Sequence, residues 1–166
     1  ALVSWGSEMC IRDSGRTVQE DAGEAQFTET GVSGPAAFTL SRQAGQAQEA
    51  ELLLDLLRAY PEPQVLALLA ARKAALPQLP AEDALAGMLH PRLGKTLCRA
   101  CGLGQQPLAG VPDEALAALA KKIKNFALPV TGVSGFESAQ VTAGGVPLSE
   151  VDIPSVSYTH LTLPTI

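Results

Sequence analysis

The protein has 166 residues, with 12 Lys and Arg against 17 Asp and Glu and a net charge of −5. A chain of this length can form a domain with a modest core, and its acidic balance without a basic stripe argues against binding to nucleic acid or to an anionic membrane. No apolar run approaches the roughly 20 residues that span a bilayer, so we expect a soluble, cytoplasmic protein.

The two termini are related at the level of DNA. Met9–Ser14 can be encoded by a stretch whose reverse complement encodes Ser155–His160, and this DNA resembles the transposon end used to fragment sequencing libraries. Two termini of one gene have no reason to be inverted copies, so we expect residues 1–14 and 155–166 to be adapter-derived and not to pack. The functional argument therefore leaves out Trp5, Cys10, Tyr158 and His160.

Residues 15–48 begin with two short alternating runs, at 16–20 and 24–28. Asp21-Ala-Gly23 between them predicts the turn of a β-hairpin. The following Thr30-Gly-Val-Ser-Gly-Pro35 predicts a loop that leads into a helix ending near Gln43, with Ser33 as the N-cap. Such a helix start can hold a phosphate, but the absence of a P-loop lysine favours a plain capped helix.

Residues 49–125 begin with Leu52–Leu57, an apolar run whose length suits a buried strand or a helix. Helices are then predicted over 64–76, over 81–89, and from Pro91 to about Gly102 or Gly104. A last helix over 113–124 has acids at its start and lysines at its end, as the helix dipole prefers. Its predicted buried stripe consists of Leu116, Leu119 and Ile123. Its lysines, Lys121, Lys122 and Lys124, indicate a solvated helix end more than a phosphate or nucleic-acid site.

Few residues in this region suggest chemistry. Cys98 and Cys101 form a lone Cys-x-x-Cys, which indicates packing of two small apolar side chains; a redox pair is the alternative, and a zinc site lacks further ligands. His90 precedes a helix and is interpreted as a loop or capping residue. We see no paired carboxylates and no Ser-His-Asp set.

Residues 126–154 return to a strand pattern, with a strand over 126–130 and another at Ala139–Ala143. The second strand ends at Gly144 and Gly145, where the backbone can turn sharply or lie close against a flat ligand. Glu137 lies nearby and is the one acid worth testing beside such a ligand, although a solvated strand end is the favoured interpretation.

Two stretches carry a family resemblance. Gly23–Ala36 with its Phe-Thr-Glu-Thr-Gly-Val-Ser-Gly-Pro core, and Lys121–Val146 with Val-Thr-Ala-Gly-Gly-Val, resemble the BaiN/RdsA-type NAD(P)/FAD-dependent oxidoreductases, also described as aminoacetone-oxidase-like. In that family a barrel-like and helical portion is inserted into the nucleotide-binding domain. The resemblance also favours a strand at Leu52–Leu57.

The resemblance implies an α+β fold, consisting of a β-hairpin remnant of an inserted barrel, a helical middle region and a return strand to a missing FAD-binding domain. It implies contact between FAD and the backbone of Thr142, Ala143, Gly144 and Gly145, with NAD(P)H as a possible electron donor. The Gly-x-Gly-x-x-Gly fingerprint is absent from residues 15–154, so we expect a fragment that is inactive alone and whose partner is the missing domain. The alternative is a small helical protein-interaction module without catalysis.

Overall fold

A computed structural model describes residues 2–139, with side chains from residue 7 onward except at position 136. The chain divides into two compact units, residues 1–133 and 134–166. The described part of the second unit contains one short 3-10 helix, Phe136–Ser138. All elements discussed below belong to the first unit.

Five antiparallel strands form one sheet. They are β1 (Leu2–Asp13), β2 (Arg16–Phe27), β3 (Val32–Ser33), β4 (Ala50–Asp55) and β5 (Phe126–Pro129), and their order across the sheet is β3-β2-β1-β4-β5. Although β1 and β4 separate β2 from β5, the rings of Phe27 and Phe126 lie only 6.3 Å apart. The sheet therefore curls into a half-barrel, and the α+β prediction is confirmed in these coarse terms.

The predicted hairpin is wrong, because its two runs, 16–20 and 24–28, lie on the single strand β2, which ends at Phe27. Asp21, Ala22 and Gly23 lie within β2 and pair with Met9, Glu8 and Ser7 of β1. The chain reverses at Ser14 and Gly15 instead, both with positive φ (49° and 81°). Positive φ at both central residues matches the right-handed twist of a two-residue hairpin, so this turn suits the geometry better than the predicted one.

The expectation that residues 1–14 do not pack is also wrong. β1 is a central strand, and its Met9 and Ile11 side chains are buried. The Asp13 carboxylate accepts hydrogen bonds from the backbone N–H groups of Gln48 (3.2 Å) and Glu49 (3.1 Å), which immediately precede β4. The alternation of Met9 and Ile11 lets these residues complete the sheet, whatever DNA encoded them. Residues 155–166 lie outside the described part, and the adapter origin of both ends stays a prediction.

Helix α1 (Pro35–Gln46) follows β3 and packs against β2. Its buried side chains, Ala36, Leu40 and Ala44, recur every fourth residue and form one apolar face. The N-cap is Gly34, without a side-chain cap, so the prediction of Ser33 as the cap is wrong. At Gly34 the backbone passes very close to β2.

The helical region lies between β4 and β5. It contains α2 (Glu62–Ala75), α3 (Pro91–Ala100) and α4 (Asp113–Lys124), with 3-10 turns at Ala81–Asp83 and Leu108–Gly110. The strand at 50–55 and the predicted helices over 64–76 and 113–124 are confirmed within a few residues.

The helix predicted over 81–89 is wrong, because this stretch is a series of turns. Hydrogen bonds join Ala84 N to Ala81 O, Ala86 N to Asp83 O and Met88 N to Leu85 O. Gly87 has φ 79°, a left-handed conformation that an α-helix cannot include. Short i to i+3 bonds therefore replace a regular helix here.

The half-barrel and the helical region share one hydrophobic core. The predicted stripe of α4 is confirmed, because Leu116, Leu119 and Ile123 are all buried. No helix among the described residues is long and apolar enough to cross a membrane.

Candidate functional site

The four residues predicted to contact FAD, Thr142, Ala143, Gly144 and Gly145, lie outside the described residues. The chain approaches them through β5 and the loop that follows it. Glu137 is exposed on the short 3-10 helix Phe136–Ser138. The candidate sites in the described part are therefore those in the loop before α1 and in the helical region.

The loop before α1 is organised by close backbone packing. Gly34 has φ 115° and ψ 167°, and a Cβ there would lie 2.3 Å from the carbonyl oxygen of Glu24 in β2. Thr28 Oγ1 accepts a hydrogen bond from Gly31 N (3.1 Å). The glycine at position 34 is thus required by the approach of the chain to β2, and this supports the interpretation of a plain helix start.

Cys98 and Cys101 have the environment of packing residues. Cys98 is fully buried, and burial raises the pKa of its thiol to about 11. Burial also raises the pKa of Cys101, against a smaller opposing effect of Lys122. Both thiols are free, and the described residues contain no group of three or more metal-ligating side chains. Because the thiolate is the reactive form, neither cysteine is activated.

His90 caps α3. Its Nδ1 accepts a hydrogen bond from Arg92 N at 3.3 Å, which satisfies one of the free N–H groups at the helix start. The capping prediction for His90 is confirmed.

A buried carboxylate joins three segments of the helical region. Both Nε and Nη2 of Arg99 donate to Oε2 of Glu82 (2.8 and 2.6 Å), while Lys95 Nζ (3.1 Å) and Gln105 Nε2 (2.5 Å) donate to Oε1. The side chain of Glu82 is only 5% exposed. Hydrogen bonds from Arg99 and then Lys95 hold the pKa of Glu82 below its ordinary value.

This cluster supports the fold and was not found from the sequence. The four hydrogen bonds to the carboxylate come from Lys95 and Arg99 of α3 and from Gln105 in the loop after α3. The carboxylate therefore fixes the 3-10 helix Ala81–Asp83 against α3. A single Glu in an Ala-Glu-Asp-Ala turn resembles any solvated acid. The only local feature that distinguishes Glu82 in the sequence is its position between Pro80 and Pro91, in the stretch predicted as a helix.

The lysines of α4 are not all solvated. Lys124 Nζ forms an ion pair with Asp55 and donates to the carbonyl oxygens of Leu57 (3.1 Å) and Tyr60 (2.7 Å). Its side chain is 13% exposed. The prediction of a solvated helix end is therefore wrong for Lys124, which ties α4 to the chain that leaves β4.

A cleft with both polar and apolar lining lies beside this ion pair. It has a volume of about 340 Å³ and is lined by Leu57, Tyr60, Leu68, Arg72, Gly87 and Met88. A second depression of about 300 Å³ adjoins it along α2 and shares Tyr60 and Leu68. Leu68 is 43% exposed.

Comparison with known proteins identifies the domain. Residues 7–141 match the family described as HI0933-like protein barrel and H2TH domain. The chain belongs to this family. The curled sheet followed by the helical region corresponds to the two parts named in that description.

A curated relative extends the comparison. The HI0933-like chain is 29% identical over 141 residues to the 3-dehydro-bile acid delta(4,6)-reductase of Clostridium scindens. The alignment covers 82% of this chain and 34% of that protein, so the chain spans about a third of the length of this relative.

Proposed function

We propose that the protein is part of an FAD-dependent oxidoreductase in which the described residues form the barrel and helical portion. The observation that carries the proposal is the family match over residues 7–141, supported by a relative that is a reductase by name. Membership of this family favours the proposal over a free-standing helical interaction module.

The described residues do not themselves supply a dinucleotide site. Residues 2–139 contain no Gly-x-Gly-x-x-Gly, the motif that brings a helix N-terminus to a pyrophosphate. FAD binding would therefore depend on the FAD-binding domain of the same polypeptide, the partner that we propose. The 166-residue chain would not bind FAD or catalyse a reaction alone.

Within that enzyme we assign the flavin contact to Thr142, Ala143, Gly144 and Gly145. Two adjacent glycines let backbone N–H groups approach a flat ring without an intervening side chain. FAD, when bound, supplies the electron transfer; the chain contributes binding and orientation. We propose NAD(P)H as the donor that reduces the flavin, and a cytoplasmic location.

The test compares the 166-residue chain with the longer polypeptide encoded by the source gene. The longer polypeptide should purify yellow, release FAD on denaturation and be bleached by NADH or NADPH without oxygen, whereas the short chain should be colourless. A folded longer polypeptide that contains no flavin would refute the proposal. Reading frames closed by stop codons on both sides of residues 15–154 would favour the interaction module.

The position of the flavin contact has its own test. Gly145→Val in the longer polypeptide should lower the flavin content, since the new side chain would separate the backbone from the ring. Gly135→Val is the control, because a Cβ at Gly135 meets nothing within 4 Å. Full flavin content in Gly145→Val would overturn the assignment of these residues while leaving the proposed enzyme class intact.

A further inference from the structure

The cleft along α2 combines apolar side chains with Arg72, which forms no ion pair within the described residues. Tyr60 and Leu68, which belong to both depressions, are 45% and 43% exposed. Large apolar side chains that remain half exposed around a concavity mark a binding surface more often than single scattered ones do.

Two backbone carbonyl groups hold the Arg72 side chain in place at this cleft. Its Nη1 donates to the carbonyl oxygens of Ala84 (2.9 Å) and Ala86 (2.6 Å). Both bonds use one nitrogen, so they fix the guanidinium and leave its other two nitrogens for a further acceptor. Within the part of the chain that the structure describes, no carboxylate forms an ion pair with Arg72.

The neighbouring basic residue, Lys73, does have a carboxylate partner, in contrast to Arg72. Lys73 donates to Val111 O and pairs with Asp113 at 2.8 Å. Arg72 thus presents a positive charge, fixed by carbonyl groups, to a cleft whose lining also includes the apolar side chains of Leu57, Leu68 and Met88. A guanidinium in this position matches the planar geometry of a carboxylate.

We propose that this cleft binds an amphipathic carboxylate, with its apolar body against Tyr60, Leu68 and Met88 and its carboxylate at Arg72. The two adjoining depressions, about 340 and 300 Å³, fall in the size range of sites for small organic ligands. The ligand class includes flexible alkyl acids and rigid polycyclic acids. The site requires no flavin, so its test is independent of the proposed oxidoreductase.

The two methionines of the protein provide the probe. Met88 lines the cleft, whereas Met9 is fully buried on β1. In the 166-residue chain with labelled methionine methyl groups, titration with dodecanoate or cholate below micelle-forming concentrations should shift the Met88 signal saturably and leave the Met9 signal in place. A response to dodecanoate alone assigns the site to flexible alkyl acids, and one to cholate alone to rigid polycyclic acids.

The charge requirement is tested with the ligand as well as with the protein. The methyl esters of the same acids should bind roughly ten-fold or more weakly, because they lose a charge-assisted hydrogen bond. Arg72→Lys should weaken binding of the acids but not of the esters. The ester comparison decides the question even where the arginine variant is unstable, since it uses the unaltered chain.

The apolar wall is tested with two exposed positions. Leu68→Gln should weaken binding roughly five- to ten-fold through lost apolar contact. Phe38→Gln on α1 is the matched control, because Phe38 is 49% exposed and does not line the cleft. No saturable Met88 shift, equal affinity for acids and esters, or equal effects of the two glutamine variants would each overturn the proposal.

Discussion

Replacing Gly34 by alanine tests the interpretation of the loop before α1. With φ 115° and ψ 167°, this residue occupies a region open almost only to glycine, where another residue costs about 1–3 kcal/mol. The new Cβ would also lie 2.3 Å from the carbonyl oxygen of Glu24. That oxygen belongs to the backbone of β2 and cannot move without disturbing the strand.

The two effects together should lower the free energy of unfolding by at least about 3 kcal/mol. For a domain of this size, the melting temperature should fall by roughly 6–12 °C. Thermal unfolding followed by circular dichroism, together with urea unfolding to obtain the free energy, measures both quantities.

The matched control is Gly31→Ala in the same loop. A Cβ at Gly31 meets nothing within 4 Å, and its φ lies outside the left-handed range. Its effect should stay within about 1 kcal/mol. If Gly34→Ala melted within 2 °C of the unaltered protein, or no lower than Gly31→Ala, the close approach of the chain to β2 would be refuted.

Three further substitutions or treatments test the helical region. Glu82→Gln should melt lower than the unaltered protein at neutral pH. The folded-state pKa of Glu82 is lowered, so its stabilisation is present above the unfolded-state pKa and is lost as pH falls through the folded-state pKa. The melting temperatures of Glu82→Gln and the unaltered protein should therefore converge in acid. A difference that persists in acid would contradict the ion cluster. Leu97→Ala, at a fully buried position, should lower the free energy of unfolding in urea by about 2–5 kcal/mol. The control Leu76→Ala, at a position that is 50% exposed, should lower it by less than about 1 kcal/mol. Similar losses in the two variants would show that the core is misassigned. Cys98, with a thiol pKa of about 11, should react with a thiol reagent at pH 8 only after denaturation. Because Cys10 and Cys101 are also free, the label is located by peptide mass mapping, and rapid labelling of Cys98 in the native protein would rule out its burial.

Regular elements were predicted where one signal dominated. The acids and lysines at opposite ends of α4 and the stripe of Leu116, Leu119 and Ile123 were sufficient for that helix. The strand at Leu52–Leu57 needed the family resemblance, because a short apolar run fits a strand or a helix equally well.

Failures occurred where tertiary contacts decide the local structure. Asp21-Ala-Gly23 has turn chemistry, yet pairing with β1 keeps it extended. The stretch after Pro80 has helical composition, but the contacts of Glu82 with Arg99 and Lys95 hold it as turns. Likewise, the partners of Lys124 are distant in sequence and cannot be inferred from a local lysine cluster.

The site could be predicted only in part for the same reason. His90 carries a local signal, and its capping role follows from its position before Pro91. Gly34, in contrast, was not predicted as the N-cap of α1. The cleft at Arg72 depends on residues from three segments, and the carbonyl groups that hold the guanidinium have no sequence signature. The flavin-contact residues, Thr142 to Gly145, remain a prediction from resemblance.

The pairing of β4 with β5 has a consequence for protein engineering. Leu54 lies opposite Phe126 in the ladder, so the helical region enters and leaves the sheet at neighbouring points, as a very long hairpin loop would. Closing such a loop costs little more entropy as it lengthens, which permits exchange of the whole region between homologous chains. Chimeras joined at Leu54 and Phe126 would keep the strand register intact and would confine every new contact to the single surface that the helices share with the half-barrel.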